Sequence, residues 1–167
     1  GVKEKAEELY QTLSEKYRVE LDIREQYSPG YKFNDWEMRG VPVRIEIGPR
    51  DIEANKCVVV RRDTSEKIEV NLEELSSKLK DILEDIQRNM YNVCAERVKE
   101  KTTVAKNLDE FIENLNKNQG YIKTMWCGDS KCEEKIHELT GAKSRCIPFM
   151  QEKLSDKCVC CGKPADT

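Results

Sequence analysis

The sequence predicts an α/β unit followed by a small α+β unit, and three observations carry that reading. Apolar residues recur at helical spacing at the start of the chain and again over Leu72–Lys101. Between those stretches lie short runs in which apolar and charged residues alternate, bounded by Gly and Pro, as half-buried strands require. Six of the eight cysteines crowd the last third, which marks a second module with its own chemistry. Helix, strands, hairpin and long helix, in that order, give the first unit its α/β character. The units are expected over residues 1–97 and 98–167.

Each element has a local reason. Residues 3 to 17 put Ala6, Leu9, Tyr10 and Leu13 on one face of an amphipathic helix. In "YRVELDI", Val19, Leu21 and Ile23 alternate with Arg18, Glu20, Asp22 and Arg24, which predicts a first strand. Ser28-Pro29-Gly30 is a turn signal, and "YKFNDWEMRG" after it suits a short helix stopped by Gly40. Val41–Ile47 reads as a second strand. "GPRDIEANK" reads as a turn holding one helical turn, with Asp51 capping its backbone amides. The apolar run in "KCVVVRRD", Lys56–Asp63, predicts a third strand buried on both faces, with "SEKIEV" its hairpin partner across Asp63–Ser65. Leu72, Leu75, Leu79, Ile82, Leu83, Ile86, Met90 and Val93 form the stripe of the long helix, its charges facing solvent. Asn71 with Glu74 makes a loose capping box at its start. Beyond it, "TTVAKNLDEF" links to a helix over Leu108–Asn116. "YIKTMWC" reads as a strand, "SKCEEKIHELT" as a short helix, "KSRCIPFM" as a strand and "SDKCVCCGKPADT" as a knuckle-like loop.

Composition excludes several classes. Charged residues make up 37% of the chain against 38% hydrophobic, so the core is modest. No stretch approaches the roughly 18 apolar residues of a membrane span. "GVKEKAEELYQTL" lacks the apolar core of a secretion signal, and Gly1 reads as an internal cut more than a natural start. A protein that grips nucleic acid mainly by neutralising phosphates is usually basic. At a net charge of −3, any RNA binding here must rest on local chemistry. Eight cysteines without a secretion signal favour metal binding or free thiols over a disulfide framework.

Cys127 and Cys132 are separated by four residues, and Cys158 and Cys161 by two, with Gly162 next. Two such pairs at the tips of turns supply four soft ligands for tetrahedral zinc. An all-sulfur set describes a closed structural site, not a catalytic one with an open water position. A glycine after the pair lets the backbone turn tightly. Cys160 is an alternative to Cys161. Cys146, in "RCIPF", reads as a buried strand residue, and His137, the only histidine, as an ordinary helix residue. A thioredoxin-type role for Cys158 and Cys161 is the weaker reading, because Pro164 follows where a helix would open. One histidine leaves little material for Cys-His or Ser-His-Asp catalysis.

The stretches "SPGYKFNDWEMRGVPVRIEIGPRD", "CVVVRRDTSEK" and "GAKSRCIPF", with a terminal C-x-x-C-G-K-P-A, together resemble one family over nearly the whole chain. It is the C-terminal half of prolyl-tRNA synthetases of the type shared by archaea, eukaryotes and some bacteria. The resemblance implies a class II anticodon-binding domain, a mixed sheet flanked by helices, over 1–97, and a C-terminal zinc-binding domain over 98–167. It implies proline tRNA as partner, a cytoplasmic enzyme and a homodimer for the full-length protein. The family's catalytic domain, with its ATP and magnesium, would precede Gly1, and members usually run on past the "GKPA" region to a C-terminal tyrosine. Alone, this piece is expected to be inactive.

The resemblance also gives the aromatic cluster a use. Proline codons begin CC, so the anticodon carries two guanines. Guanine offers donors on its Watson–Crick edge and the O6 and N7 acceptors on the other, which suit a carboxylate and an Arg or Lys respectively. Unpaired bases also stack on aromatic rings. By resemblance Phe33 is a stacking residue, Glu37 an acceptor for guanine, and Arg44 and Lys67 donors near the same bases. Glu46, Arg50 and Arg62 are weaker candidates, from alternation and proximity in sequence. Plainer readings stand beside these: Trp36 and Phe33 as core, Glu37 with Arg44 as a surface ion pair, Lys67 as solvent-facing charge. A module that kept the fold but lost RNA binding for protein contacts is the competing function.

Overall fold

Three antiparallel strands form the sheet of the first unit: β1 (Val43–Glu46), β2 (Lys56–Arg61) and β3 (Lys67–Asn71), with β2 in the middle. The structure is a computed structural model that describes residues 1–167, and it divides into two units, Gly1–Asn92 and Val93–Thr167. Ile45 lies opposite Val59, which lies opposite Ile68, and Cys57 lies opposite Val70. These residues and Val43 make the core face of the sheet. It packs with Leu9 and Leu13 of α1 (Val2–Ser14) and Leu75, Leu79, Ile82 and Ile86 of α4 (Leu75–Glu100). Strand side chains alternate between faces, so Arg44, Glu46, Val58, Val60, Lys67 and Glu69 belong to the opposite face. Cys57 is fully buried, and that burial, helped by the charge of Asp51, pushes its thiol up to about 11, which makes it packing and not chemistry.

Two short helices flank β1. In α2 (Pro29–Met38) the Ser28 hydroxyl oxygen accepts the Tyr31 N–H, and Pro29 occupies the first turn, where its missing N–H costs nothing. Gly40, at φ +84°, supplies the left-handed turn that carries the chain into β1. In α3 (Pro49–Glu53) the Asp51 carboxylate accepts the Gly48 N–H at 2.7 Å, as its place in the turn predicts.

At the far end of β2, Arg61 is a buried charge. Its guanidinium donates to both oxygens of Asp63, at 3.0 and 2.8 Å, and to Asp85 of α4 at 2.6 Å. Asn89, one turn further along α4, donates to Asp63 at 2.8 Å. A buried ion is tolerable only with its hydrogen bonds satisfied, and this set also ties the long helix to the end of the central strand.

Three expectations fail here. "YRVELDI" forms no strand. Tyr17 and Val19 pack against the core, and the Tyr17 hydroxyl donates to the Ser76 carbonyl at 2.7 Å. The alternation then changes phase: Ile23 is half exposed, while Asp22 and Arg24 turn inward into the ionic network described below. Charge pairing overrides the two-residue period. The Asn71 capping box is also absent. Asn71 is still in β3, its side-chain oxygen accepts from Asn55, and α4 begins at Leu75. Along α4 the stripe is buried to Ile86, whereas Met90 and Val93 are exposed.

The second unit holds a parallel pair, β4 (Thr102–Val104) with β5 (Tyr121–Lys123), connected through α5 (Leu108–Lys117). β4 lies in a segment that reads as a linker. At the start of α5, the Asn107 side-chain oxygen accepts the Glu110 N–H, and the Glu110 carboxylate accepts the Lys106 N–H. Phe111, Ala105 and Val159 form one small core there, with Ile122 and Ile136 against it. α6 (Ser130–Thr140) starts on the Asp129 carboxylate and stops at Gly141, whose φ is +73°. "KSRCIPFM" is not a strand, and Cys146 is exposed, not buried. Pro148 has no N–H for a ladder, no neighbouring strand pairs with it, and Lys143–Met150 is solvent-facing throughout.

Gly120 sits so close to the Lys101 carbonyl that an added Cβ would overlap it, at the point where the Tyr121 N–H donates to that oxygen at 2.8 Å. Gly120→Ala is expected to destabilise the second unit by about 2 kcal/mol, read as a lower unfolding midpoint. The Arg61 guanidinium, with help from Asn89, holds the Asp63 carboxyl at about 2 instead of its ordinary 3.8. A lowered folded-state value means stability that is present above pH 3.8 and lost as the pH falls through 2. Asp63→Asn is therefore expected to cost about 3 kcal/mol at neutral pH and to flatten the acid limb of a stability-versus-pH curve; an unchanged limb would refute the assignment.

Candidate functional site

The outer face of the sheet is polar because the inner face is not. With Val43 and Ile45 in the core, Arg44 and Glu46 emerge on the other side of β1. In register, Arg44, Val60 and Lys67 form one row across the three strands. Val60 is buried, so the row is a charged rim over an apolar floor. α2 brings Phe33 and Glu37, four residues apart on one helix face, to Arg44.

Arg44 is the hub of this face. Its guanidinium lies 4.0 Å from the Phe33 ring centroid, a cation–π contact. Its Nη1 donates to Glu37 at 2.6 Å and its Nε donates to Glu46 at 2.8 Å. Lys67 stands 3.9 Å from the other oxygen of Glu46. The structure thus brings Phe33, Glu37, Arg44 and Lys67 together, and adds Glu46 as the bridge between the two cations. Arg50 and Arg62 are exposed and outside this set. The ion pair of Glu37 with Arg44 is present as well; the Glu37 side chain keeps 45% of its surface exposed, so it remains open to a ligand.

Trp36 does not join an apolar core. Its indole N–H donates to Asp22 at 2.8 Å, and Arg24 and Arg39 lie over its ring. Arg24 bonds Asp22 at 2.7 Å and Asp35 at 2.9 Å. Hydrogen bonds from Arg24, joined by Trp36, hold the Asp22 carboxyl well below its usual range, and Asp35 is lowered by Arg24 and Arg39. This network anchors the other side of α2 and so fixes where Phe33 and Glu37 point. The signal for it in the sequence is the acidic and basic pair at Asp22 and Arg24, which alternation assigns to solvent.

The second candidate site is in the C-terminal unit. The Sγ atoms of Cys127, Cys132, Cys158 and Cys161 all lie within 4.8 Å of one another. Cys127 is 3.7 Å from both Cys132 and Cys161. Ligands at 2.3 Å around a tetrahedral zinc stand about 3.8 Å apart, and a disulfide closes to about 2.0 Å. The spacing fits the first and not the second. Gly128 and Gly162, directly after Cys127 and Cys161, have φ of +82° and +70°, so each loop turns back under its thiol. Burial would raise the Cys158 thiol, but the backbone N–H groups of Cys161, Cys160 and Cys127 outweigh it and draw the thiol down to about 7. Cys132 is pushed up by burial and by its thiol neighbours. Cys160 packs among apolar side chains, and His137 lies exposed on α6 apart from the cluster.

Comparison with known proteins places both units. The anticodon-binding domain family matches residues 1–82, and the family described as prolyl-tRNA synthetase, C-terminal, matches residues 108–167. Proline–tRNA ligases of Clostridium novyi (strain NT) and Clostridium botulinum (strain Okra / Type B1) are each 51% identical to the chain over 165 residues. That of Lachnospira eligens is 52% identical over 166 residues. Each match covers 99% of this chain and 34% of the relative, so the chain spans about a third of the length of the curated relatives it matches.

Proposed function

The chain belongs to the prolyl-tRNA synthetase family, matching the C-terminal portion of its members, and from that premise we propose that it binds the anticodon of proline tRNA. The observation that carries the reading is the position of Arg44, held by Glu37 and Glu46 above the Phe33 ring with Lys67 beside them. Phe33 stacks on an unpaired base. Glu37 accepts from the Watson–Crick edge of guanine, and Arg44 and Lys67 donate to O6 and N7. Because the protein already orients Arg44, little ordering remains when a base arrives.

In this proposal residues 1–97 are the anticodon-binding domain and 98–167 the zinc-binding domain. Cys127, Cys132, Cys158 and Cys161 would hold zinc, which cross-links two loops and neutralises thiolates but takes no part in a reaction. ATP, magnesium and prolyl transfer belong to the part of the relatives' length that this chain does not span, and the full-length enzyme is a cytoplasmic homodimer. No helix is long and apolar enough to cross a membrane.

Binding of this chain to proline-tRNA transcripts, with the two anticodon guanines intact or replaced, tests the reading. The intact anticodon should bind more tightly, and Glu37→Ala should remove about 1–3 kcal/mol of that preference while leaving the circular dichroism unchanged. Equal affinity for both transcripts would count against it. For the metal, about one zinc per chain is expected, released together with the fold of the C-terminal unit on denaturation. Cys161→Ser should lose that zinc and Cys160→Ser should keep it; the reverse would exchange their roles.

A further inference from the structure

On the side of α2 away from Phe33 the structure carries a second aromatic array that the proposed guanine contacts do not use. The rings of Tyr27 and Tyr31 are stacked, with centroids 4.4 Å apart and planes 16° from parallel. Arg24 lies 5.2 Å from the Tyr27 centroid and 5.8 Å from that of Trp36, and Arg39 covers Trp36 at 4.9 Å. Tyr31, Tyr27, Arg24, Trp36 and Arg39 therefore form a chain of contacts in that order, a ladder in which the Arg24 guanidinium meets both the Tyr27 and Trp36 rings and Arg39 ends the row. Its inner members are held by Asp22 and Asp35. Its outer end is open: Tyr31 is 52% exposed and Tyr27 38%.

Exposure alone does not mark a site, since Tyr91 and Tyr121 are more exposed still; what sets Tyr27 and Tyr31 apart is their stacking. These two are in contact with each other, and the outer one presents a free ring. A free, rigidly backed ring takes another flat π-surface, and every nucleobase has one. The charge supports that occupant: Arg24, Lys32 and Arg39 meet two carboxylates in the bonded network, and Arg39 is the most exposed of the three. The network therefore carries one positive charge in excess, a local field that favours a polyanion, although Arg39 itself pairs with Asp35 at the Trp36 end. Tyr31 and Phe33 are two positions apart, hence about 200° around the helix and one short step along it. An RNA loop with splayed bases passing α2 can set one base on each side.

We propose that the Tyr27–Tyr31 pair is a stacking platform for an unpaired nucleobase adjacent in sequence to the guanines read at Phe33. The proposal rests on the anticodon reading above and extends it by one nucleotide. Stacking on an aromatic ring discriminates little between bases, so this contact adds affinity and fixes the path of the loop without reading sequence.

The test uses RNA hairpins of the anticodon stem-loop type, with 2-aminopurine placed on either side of the guanine pair and bound to the full chain. In one of the two positions binding should quench the fluorescence. Tyr31→Leu should abolish that quenching and weaken binding about tenfold, while Tyr31→Phe, which keeps the ring, should behave as the wild type. Glu37→Ala should lose guanine preference but keep the quenching. If the wild type prefers the guanines and Tyr31→Leu binds and quenches like it, the platform is refuted and the anticodon reading stands. If the wild type is indifferent to the guanines, the anticodon reading fails, and this proposal fails with it.

Discussion

Successive side chains of a strand leave on opposite faces, and the proposed anticodon surface depends on that constraint at β1. Packing Val43 and Ile45 against the core, on the face of the sheet that meets α1 and α4, obliges Arg44 and Glu46 to stand on the far side. A slip of one residue would put a guanidinium and a carboxylate into the core and two aliphatic groups into solvent. The register is secured from both sides, because β2 pairs with β3 through Cys57 and Val70 and through Val59 and Ile68. The core therefore specifies the charged face as firmly as it specifies itself.

A charged face must also be kept in shape when nothing is bound to it. Here opposite charges do this: Glu37, Arg44, Glu46 and Lys67 form a chain of contacts in which each cation has a carboxylate neighbour. Exposed pairs of this kind add little to stability, on the order of 0–1 kcal/mol each. Their effect is geometric. The stronger restraint lies behind α2, where Trp36, Asp22, Arg24 and Asp35 share a half-buried network. That network fixes α2 from behind and leaves the exposed Glu37 and its contact with Arg44 on the other side.

The sequence made the elements with a clear period legible: α2 with its Ser28, Pro29 and Gly40 punctuation, the hairpin of β2 and β3, the stripe of α4 as far as Ile86. The same rule failed where side chains took hydrogen-bonding roles that the period does not encode. Asp22 and Arg24 were assigned to solvent by alternation, yet they turn inward to Trp36 and Asp35. Trp36 reads as core because it is large and aromatic, but its indole N–H needed an acceptor and found a carboxylate. Apolar content alone suggested a strand around Cys146, where no pairing partner exists. Glu46 was visible only as a strand residue on the outer face; that it bridges Arg44 and Lys67 follows from register, which a single sequence does not display.

The cysteine cluster raises a different question, that of size. The C-terminal unit has few fully buried apolar residues, and two of them are Cys132 and Cys158, which pack with Met125 and Ala165. A unit this small seldom buries enough surface to hold itself together without a cross-link. In the proposed reading the metal supplies that link, and it does so from inside the core, since the same two sulfurs that would bind it also fill the space beside Met125. Replacing either one by serine then has two costs at once, a lost ligand and a polar group set among apolar neighbours. Replacing the half-exposed Cys127 or the exposed Cys161 has mainly the first. Comparing the inner and outer pairs would therefore separate the metal's contribution from that of packing.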